Sequence, residues 1–381
     1  MLAEEELYSY QRRAREALVC HYNWDRFANQ ICECVEMEGP KEPNEKKWSN
    51  QREINAKKLQ MIAGQERVWR RFEDSIQTLK ANLERFINWF NLSAAIFVGL
   101  GIRLFLNWRL IGREFDSFGR GISFKFFRKS QFQRFAYLLS NPVSIVRYFE
   151  YSFGHKSVNW IEVGKGLDIS SPRIFYTFLL KKYPQLKYDI INPNNLDLQE
   201  TQEFINILGL VERTNLFSMD GTKLKYPDNH FDVVTSLSVI EHIPDNGDIL
   251  AIKEMWRVLR MGGKLVVTVP CSKSYHEEWK DNDVYGLGKI GNNGKFFFQR
   301  VYDSQMLRER VFDTIKIRPV LFEVYGERVK GIYNDYEKRW ILRGLRESVK
   351  DPWHIVRNFK EYANIEQMPG LGVCGLVFEK K

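Results

Sequence analysis

From residue 158 onward, the chain alternates short apolar runs with stretches in which apolar residues recur at helical spacing. The apolar runs predict strands: "VNWIEV", "KYDIIN", "RTNLFSM", "FDVVTSL", "GKLVVTVP", a segment around "TIKIRPVLFEVY", and "GVCGLVFE". The stretches between them predict helices at 172–183, 200–208, 247–260 and 303–311. Strands separated by helices indicate an α/β fold, a parallel sheet with helices on both faces. Ligands are expected at the carboxyl ends of its strands.

The first 157 residues have a different pattern, which divides them into three segments. Residues 1–38 are predicted to be helical, and a charged stretch with two prolines then opens the linker of segment 39–91. Seven apolar residues of this segment step by three and four, namely Trp69, Phe72, Ile76, Leu79, Leu83, Phe86 and Phe90. This spacing predicts an amphipathic helix. The helix either packs on the chain's own core or forms a homodimer through 62–90.

The third segment, 92–157, is basic and aromatic. Residues 101–157 contain ten Lys or Arg against three Asp or Glu, and the whole chain carries a net charge of +9. The apolar run 92–102 is shorter than the roughly 20 residues that span a bilayer. Across 92–135, basic residues alternate with large aromatic ones, which fits a helical cap over an active site or peripheral contact with a membrane. No nucleic-acid motif occurs, so no nucleic-acid partner is expected.

The cysteines and the N-terminus bear on the compartment. Five cysteines are scattered along the chain, which argues against a disulfide framework. The polar, acidic start does not resemble a secretory signal. We therefore expect a cytoplasmic protein, with the inner face of the membrane as an alternative location.

Three motifs occur in order: "IEVGKG" at 161–166, "MDGTKLKYPDNHFDVVTSLSVIEHIPD" at 219–245 and "EMWRVLRMGGKLVVTVP" at 254–270. In this order and spacing, residues 158–381 resemble the class I S-adenosylmethionine-dependent methyltransferases, of the methyltransferase type 11-like group. The resemblance implies a Rossmann-like, seven-stranded sheet and S-adenosylmethionine as cofactor. Residues 1–35 resemble the C-terminal tail of a family-4 glycosyltransferase. The second resemblance favours a glycan acceptor and a role in polysaccharide or glycolipid biosynthesis.

The resemblance also predicts the cofactor site. Its residues are Glu162, Gly164, Gly166, Asn192, Asp220, Gly221, Thr222, Ser236 and Leu237. The two glycines let the backbone of the first loop approach the ligand closely. The family usually has an acid at the end of the second strand, where this chain has Asn192, whose oxygen can accept one ribose hydroxyl. Asp168 stands where a dinucleotide fold would have a third glycine, and with Ser170, Ser171 and Pro172 it is expected to open the next helix.

Catalytic and acceptor residues are predicted at the carboxyl edge of the same sheet. His242 follows the fourth strand and could remove a proton from a hydroxyl acceptor, although methyl transfer needs mainly alignment and exclusion of water. The polar segment 271–286 offers Tyr275, His276 and Trp279 for a small-molecule or glycan acceptor. His276 lacks a second histidine at ligand spacing, so no metal is expected. The alternatives are methylation of a lipid or quinone-like substrate at the membrane, and a non-catalytic interaction module.

Overall fold

The computed structural model describes residues 94, 97–99, 101–103, 105–106, 109–128, 131–291 and 293–381. The helix predicted over 1–38, the glycosyltransferase-like tail and the homodimer through 62–90 lie outside these residues.

In the described part of the chain, the helices α1 (Arg113–Phe127), α2 (Phe132–Ser140) and α3 (Arg147–Lys156) precede the sheet. The α1 helix packs against α2 and against two helices of the sheet's flank, and α3 lies on three central strands. Phe115, Phe126 and Tyr148 are fully buried in the core on this face of the sheet. Segment 92–157 therefore contributes large side chains to the same core as the sheet.

The main sheet has eight strands in the order β3-β2-β1-β4-β5-β10-β8-β9. Their bounds are β1 Lys165–Ile169, β2 Lys187–Asn192, β3 Thr214–Ser218, β4 Phe231–Leu237, β5 Leu259–Cys271, β8 Leu321–Glu327, β9 Phe359–Tyr362 and β10 Gly372–Glu379. The first five strands pair in parallel, whereas β10 is antiparallel to both of its neighbours. A separate hairpin consists of β6 (His276–Lys280) and β7 (Phe296–Val301).

Helices cover both faces of the sheet. They are α4 Arg173–Lys182, α5 Asn195–Leu208, α6 Gly247–Val258, α7 Ser304–Leu307, α8 Asp313–Ile315, α9 Ile332–Arg343, α10 Leu345–Ser348 and α11 Asp351–Asn358, with a π-helical stretch between α7 and α8. The start of α5 shows how local chemistry sets a boundary: the Asn194 side chain accepts from the backbone nitrogens of Leu196 and Asp197. Gly209 ends this helix in the left-handed conformation. One cluster of buried apolar side chains lies on each face of the sheet.

The predicted α/β class is confirmed, but two local predictions are wrong. Residues 158–163 form turns, and the first strand begins only at Lys165. The helix predicted over 247–260 ends at Val258, and Gly262 lies in an irregular stretch of β5, where the pairing with β4 shifts register. The main sheet also has one strand more than expected, because β9 adds to the edge beside β8.

Within the described part of the chain, no helix is long and apolar enough to cross a membrane.

Candidate active site

The carboxyl ends of β1, β2 and β4 meet at one edge of the sheet, and hydrogen bonds tie them together. The backbone nitrogen of Ser170, just past β1, donates to the Ile191 carbonyl in β2 over 3.0 Å. The Leu237 nitrogen, at the end of β4, donates to Ser171 Oγ over 3.0 Å. The strand order changes direction between β1 and β4, because β2 and β3 lie on one side of β1 and β4 and β5 lie on the other. The carboxyl edge at this point is the expected binding edge of the fold.

Asp168 anchors the loop after β1. Its side chain is fully buried, and its two oxygens accept from the Ser171 nitrogen at 2.7 Å and from Thr235 Oγ1 at 2.6 Å. Burial raises the carboxyl pKa to about 6, and the two hydrogen bonds act against this shift. Asp168 therefore holds the loop in place against β4.

The loop itself contains serines and a proline where dinucleotide loops have glycines. Ser170 has a φ of 54°, a left-handed conformation that non-glycine residues seldom adopt. Ser170 or Ser171 was expected to cap α4, with Pro172 in its first turn, but Pro172 itself is the N-cap residue and no side chain caps this helix. The backbone N–H groups of the first turn of α4 therefore have no side-chain partner at the binding edge. The positive end of the helix dipole lies at the same place.

Glu162, Gly164 and Gly166 lie at the opposite edge of the sheet. They were predicted as the loop after the first strand, but they precede β1 or begin it. The Gly164 nitrogen donates to Asp232 at the amino end of β4 over 2.7 Å. A methyl group on Gly166 would overlap the Tyr188 ring. These glycines therefore serve turn geometry and close packing at the amino edge, which is a correction to the predicted cofactor loop.

Asn192 ends β2 at the binding edge, as predicted. Its Nδ2 donates to Asp197 Oδ2 over 2.7 Å, and its Oδ1 accepts from the Asn194 nitrogen over 2.9 Å. Asp197 also forms an ion pair with Arg173, the first residue of α4. A carboxylate therefore does lie beside the end of β2, but it comes from α5 and not from position 192.

Asp220, Gly221 and Thr222 follow β3 and reach the same edge. The Met219 nitrogen donates to the Asn192 carbonyl over 3.4 Å, which links this loop to β2. Asp220 is exposed, and its Oδ1 accepts from the backbone nitrogen and the hydroxyl of Thr222, both at 2.8 Å. Gly221 is buried against Ile169. The structure therefore brings these three residues beside the ends of β1 and β2.

The end of β4 carries buried polar groups. Ser236 and Leu237 are both fully buried, and Ser236 Oγ has no hydrogen-bond partner among the described residues. Ser238 follows with a φ of 50°, and its hydroxyl donates to Glu150 of α3. Glu150 also pairs with Arg147 over 2.5 Å, and Arg147 reaches the Leu237 carbonyl at 3.3 Å. The start of α3 therefore holds the end of β4 in an unusual backbone conformation.

Glu241 and His242 follow in a short 3-10 turn, and burial makes both of them neutral at pH 7. Desolvation raises the pKa of Glu241 to about 8 and lowers the pKa of His242 to about 4. His242 Nδ1 lies 2.8 Å from the Phe298 carbonyl, which can only accept, so Nδ1 carries the proton. Nε2 therefore carries the electron pair, and it can accept a hydrogen bond from the Tyr285 hydroxyl at 3.3 Å.

A cavity of about 190 Å³ opens beside His242. The ends of β4 and β5 form its floor, and the β6–β7 hairpin and α9 form its walls. Tyr285 and Phe298 stack with ring centroids 5.8 Å apart and planes 7° from parallel. The other walls carry Arg147, Glu241, Glu278, Tyr333 and Glu337 among the lining residues. This cavity combines aromatic surface, carboxylates and the electron pair of His242 Nε2.

Tyr275, His276 and Trp279 do not line this cavity, although they were predicted to bind the acceptor. In β6, Glu278 lines the cavity and Trp279 alternates to the other side of the strand. His276 shares the face of Glu278, with its Nε2 3.9 Å from Glu278 Oε1, but lies nearer the start of the strand and does not reach the cavity. Trp279 packs edge-on against Phe297, with centroids 5.5 Å apart, and the Tyr275 hydroxyl donates to Glu277 over 3.0 Å. No group of three or more His, Cys, Asp or Glu among the described residues is placed to hold a metal ion.

Several cavity residues had no signal in the sequence analysis. Arg147 lies before the sheet, and Tyr333 and Glu337 lie in α9, about ninety residues after His242. Only the fold brings them together. Tyr285 lies at the end of the polar segment 271–286, whose predicted members Tyr275, His276 and Trp279 are not among the lining residues.

Comparison with known proteins agrees with this architecture. Residues 175–267 match the family model described as a methyltransferase domain. The curated relatives include the ubiquinone/menaquinone biosynthesis C-methyltransferase of Shewanella sediminis, 29% identical over 119 residues, which are 31% of this chain and 46% of that protein. The same enzyme of Pseudoalteromonas translucida is 32% identical over 103 residues, 27% and 40% of the two chains. The chain thus spans about half the length of the curated relatives it matches.

Two solved structures align with part of this chain at low identity. Geranyl diphosphate C-methyltransferase from Streptomyces coelicolor aligns with a TM-score of 0.40 and 8% identity, over 62% of this chain and 78% of that one. An O-methyltransferase from a Brevibacillus brevis polyketide synthase aligns with a TM-score of 0.40 and 12% identity, over 59% and 69%. The family match spans residues 175–267, from α4 to within β5, so this part of the chain is similar to a methyltransferase domain.

Proposed function

We propose that this protein transfers a methyl group from S-adenosylmethionine to a hydroxyl-bearing small molecule in the cavity beside His242. The observation that carries the proposal is the position of His242: Nδ1 is held by the Phe298 carbonyl, and Nε2 lies 3.3 Å from the hydroxyl of Tyr285, another residue that lines the cavity. A base in this position can accept the proton that a hydroxyl loses when it attacks a methyl group.

The residues at the binding edge fit the cofactor. Ser236 Oγ and Glu241 Oε2 are buried polar atoms without a hydrogen-bond partner in the described structure, as expected of groups that a ligand would satisfy. The uncapped start of α4 suits a carboxylate. Asp220 is exposed at the end of β3, where a carboxylate can accept from an amino group. When bound, S-adenosylmethionine would supply an electrophilic methyl group.

Individual roles at this edge follow from the geometry. We assign the methionine end of the cofactor to the loop 168–172 and the adenine end to Asp220, Gly221 and Thr222. Asn192 would contact the ribose with Asp197 behind it, since the two side chains are hydrogen-bonded. Leu237 and Ser238 would lie beside the reactive centre, where the Arg147–Glu150 pair holds the backbone.

The acceptor would enter between the hairpin and α9. Its hydroxyl would compete with Tyr285 for His242 Nε2, and the hairpin would shield the reacting atoms from water. The stacked Tyr285 and Phe298 rings suit a planar ring or the face of a sugar, and Glu278 and Glu337 can accept from hydroxyls. These walls support a glycan acceptor in polysaccharide or glycolipid biosynthesis.

A second acceptor class is a phenolic or quinol ring methylated on carbon. The names of the curated relatives, which are ubiquinone/menaquinone C-methyltransferases, favour it. Loss of a ring hydroxyl proton to His242 would activate the neighbouring carbon as well as the oxygen. A panel of glycosides and quinols separates the two classes, with S-adenosylhomocysteine release as the readout and product analysis to locate the methyl group.

Substitution of His242 tests the proposal. We expect His242→Ala to lower kcat about 100-fold while the dissociation constant for S-adenosylmethionine stays unchanged, because the side chain contacts the acceptor and not the cofactor. Since Nε2 is half-protonated only at about pH 4, the wild-type rate should change little between pH 7 and pH 5 as far as this group is concerned. Full activity of His242→Ala with every acceptor tested would refute the assigned role.

A further inference from the structure

The aromatic tip, formed by the end of α1 and the start of α2, exposes three phenylalanines that methyl transfer does not use. Phe124 and Phe127 are each 55% exposed, and Phe132 is 37% exposed. Large apolar side chains that are exposed together usually mark an interaction surface.

The three rings form one packed cluster around Phe135. Its ring centroid lies 5.6 Å from Phe124, 5.0 Å from Phe127 and 5.8 Å from Phe132. Phe126, between two of them, points the other way and fills the core against Phe204 at 4.6 Å. The core on this side is therefore already filled, and burial of the outer rings requires a partner outside the described domain.

Basic side chains surround the aromatic tip. Lys125 and Arg128 are exposed on α1 and just after it, and Lys181 is exposed at the end of α4. The pKa of Lys181 is lowered first by desolvation and then by the neighbouring charges of Lys125 and Arg213, so these cations act on one another. The nearby carboxylates Glu200 and Glu203 are paired with Arg134, at 3.7 Å and 3.1 Å.

We infer that the aromatic tip docks this protein on an anionic phospholipid bilayer, a binding function that goes beyond methyl transfer. The three rings would enter the interface between headgroups and acyl chains, and the flanking Lys and Arg would contact lipid phosphates. Charge complementarity selects this partner, because a cationic rim around a protruding apolar cluster matches a surface that is anionic outside and apolar beneath. A double-stranded nucleic acid would use the cations but would leave the clustered Phe rings without a role, because its bases are stacked inside the duplex.

Vesicle flotation of the full chain tests the inference. The protein should float with phosphatidylglycerol-containing vesicles, but only weakly with pure phosphatidylcholine, and added salt should release it. Phe124→Ser/Phe127→Ser should weaken partitioning at least about tenfold, because two inserted rings are removed. Lys125→Gln/Arg128→Gln should weaken it roughly fivefold for each charge removed.

Matched controls are Trp353→Ser, which removes an aromatic ring that is 44% exposed on α11, and Lys338→Gln, which removes an exposed charge on α9. Both should leave vesicle binding unchanged. Absence of wild-type flotation would overturn the inference, and so would vesicle binding that survives the double Phe substitution. Calorimetric titration of the Phe variant with S-adenosylmethionine should give the wild-type affinity, so failure of lipid docking is distinguishable from failure of the proposed methyl transfer.

Discussion

The small residues at the two ends of β1 have different structural roles. At the amino end, Gly166 lets the Tyr188 ring pack against the strand, and Gly164 donates its amide to Asp232. At the carboxyl end, Ser170 adopts a left-handed conformation and Ser171 links the loop to Asp168 and Leu237. A glycine near the end of a strand therefore shows only that another group packs close to the backbone, and that group can be a side chain as well as a ligand. The ligand-binding edge of the sheet is identified by the direction of the strands and by the hydrogen bonds that join their carboxyl ends.

The largest effect is expected at the carboxyl end. Asp168→Ala would leave the buried Ser171 amide without a partner and would remove the carboxylate acceptor of Thr235, whose hydroxyl would keep only its contacts with Tyr188 and Leu167. The loss of two hydrogen bonds to a carboxylate should lower the free energy of unfolding by about 3 kcal/mol. Because the loop loses its anchor, affinity for S-adenosylmethionine should also fall. Urea unfolding and calorimetric titration measure the two effects. Stability loss with wild-type affinity would show that the loop does not contact the cofactor.

At the amino end, Gly166→Ala should affect stability alone. The added methyl group would overlap the Tyr188 ring and approach Val233 Cγ1 to 3.1 Å, so we expect a loss of about 2 kcal/mol in the free energy of unfolding. The folded fraction should bind S-adenosylmethionine with unchanged affinity in a thermal-shift titration. A selective loss of affinity would restore Gly166 to the cofactor site.

Glu241, just after the carboxyl end of β4, is a buried carboxyl group with a raised pKa. Its pKa of about 8 in the folded protein lies above the ordinary 4.5, so the folded state keeps a proton that the unfolded state releases. The free energy of unfolding should therefore fall by about 1.4 kcal/mol per pH unit, from this group, as the pH rises from 4.5 to about 8. Glu241→Gln should remove that slope in urea unfolding measured across the range. An identical slope in both proteins would contradict a buried, protonated Glu241.

At the end of β2, Asn192→Asp should not improve the site, although an acid is usual there in the family. The new carboxylate would face Asp197, whose oxygen now lies 2.7 Å from Asn192 Nδ2, and stability should fall by about 1 kcal/mol. Asn192→Asp/Asp197→Asn reverses the pair and should restore the melting temperature. If the single variant bound S-adenosylmethionine more tightly without loss of stability, Asp197 would have no part in the site.

Much of the fold could be predicted, because strand and helix periodicities are local properties. The strands "FDVVTSL" and "GVCGLVFE" occur at the predicted residues, and the motif around 219–245 correctly placed Asp220, Ser236 and His242 at one edge. The first loop was misplaced because "VNWIEV" has apolar strand composition, whereas the real strand "KGLDI" contains a charged residue, Asp168, at a buried position. The cavity walls were not predictable, since Arg147 and Tyr333 reach His242 only through tertiary packing.

Calorimetric titration of S-adenosylmethionine into the wild type, Asp220→Ala and Gly164→Ala tests most directly the claim that the carboxyl edge binds the cofactor. We predict that the wild type binds, that Asp220→Ala weakens binding about tenfold through loss of one hydrogen-bond acceptor, and that Gly164→Ala has no effect. Wild-type protein that fails to bind, or weaker binding in Gly164→Ala with none lost in Asp220→Ala, would contradict this claim.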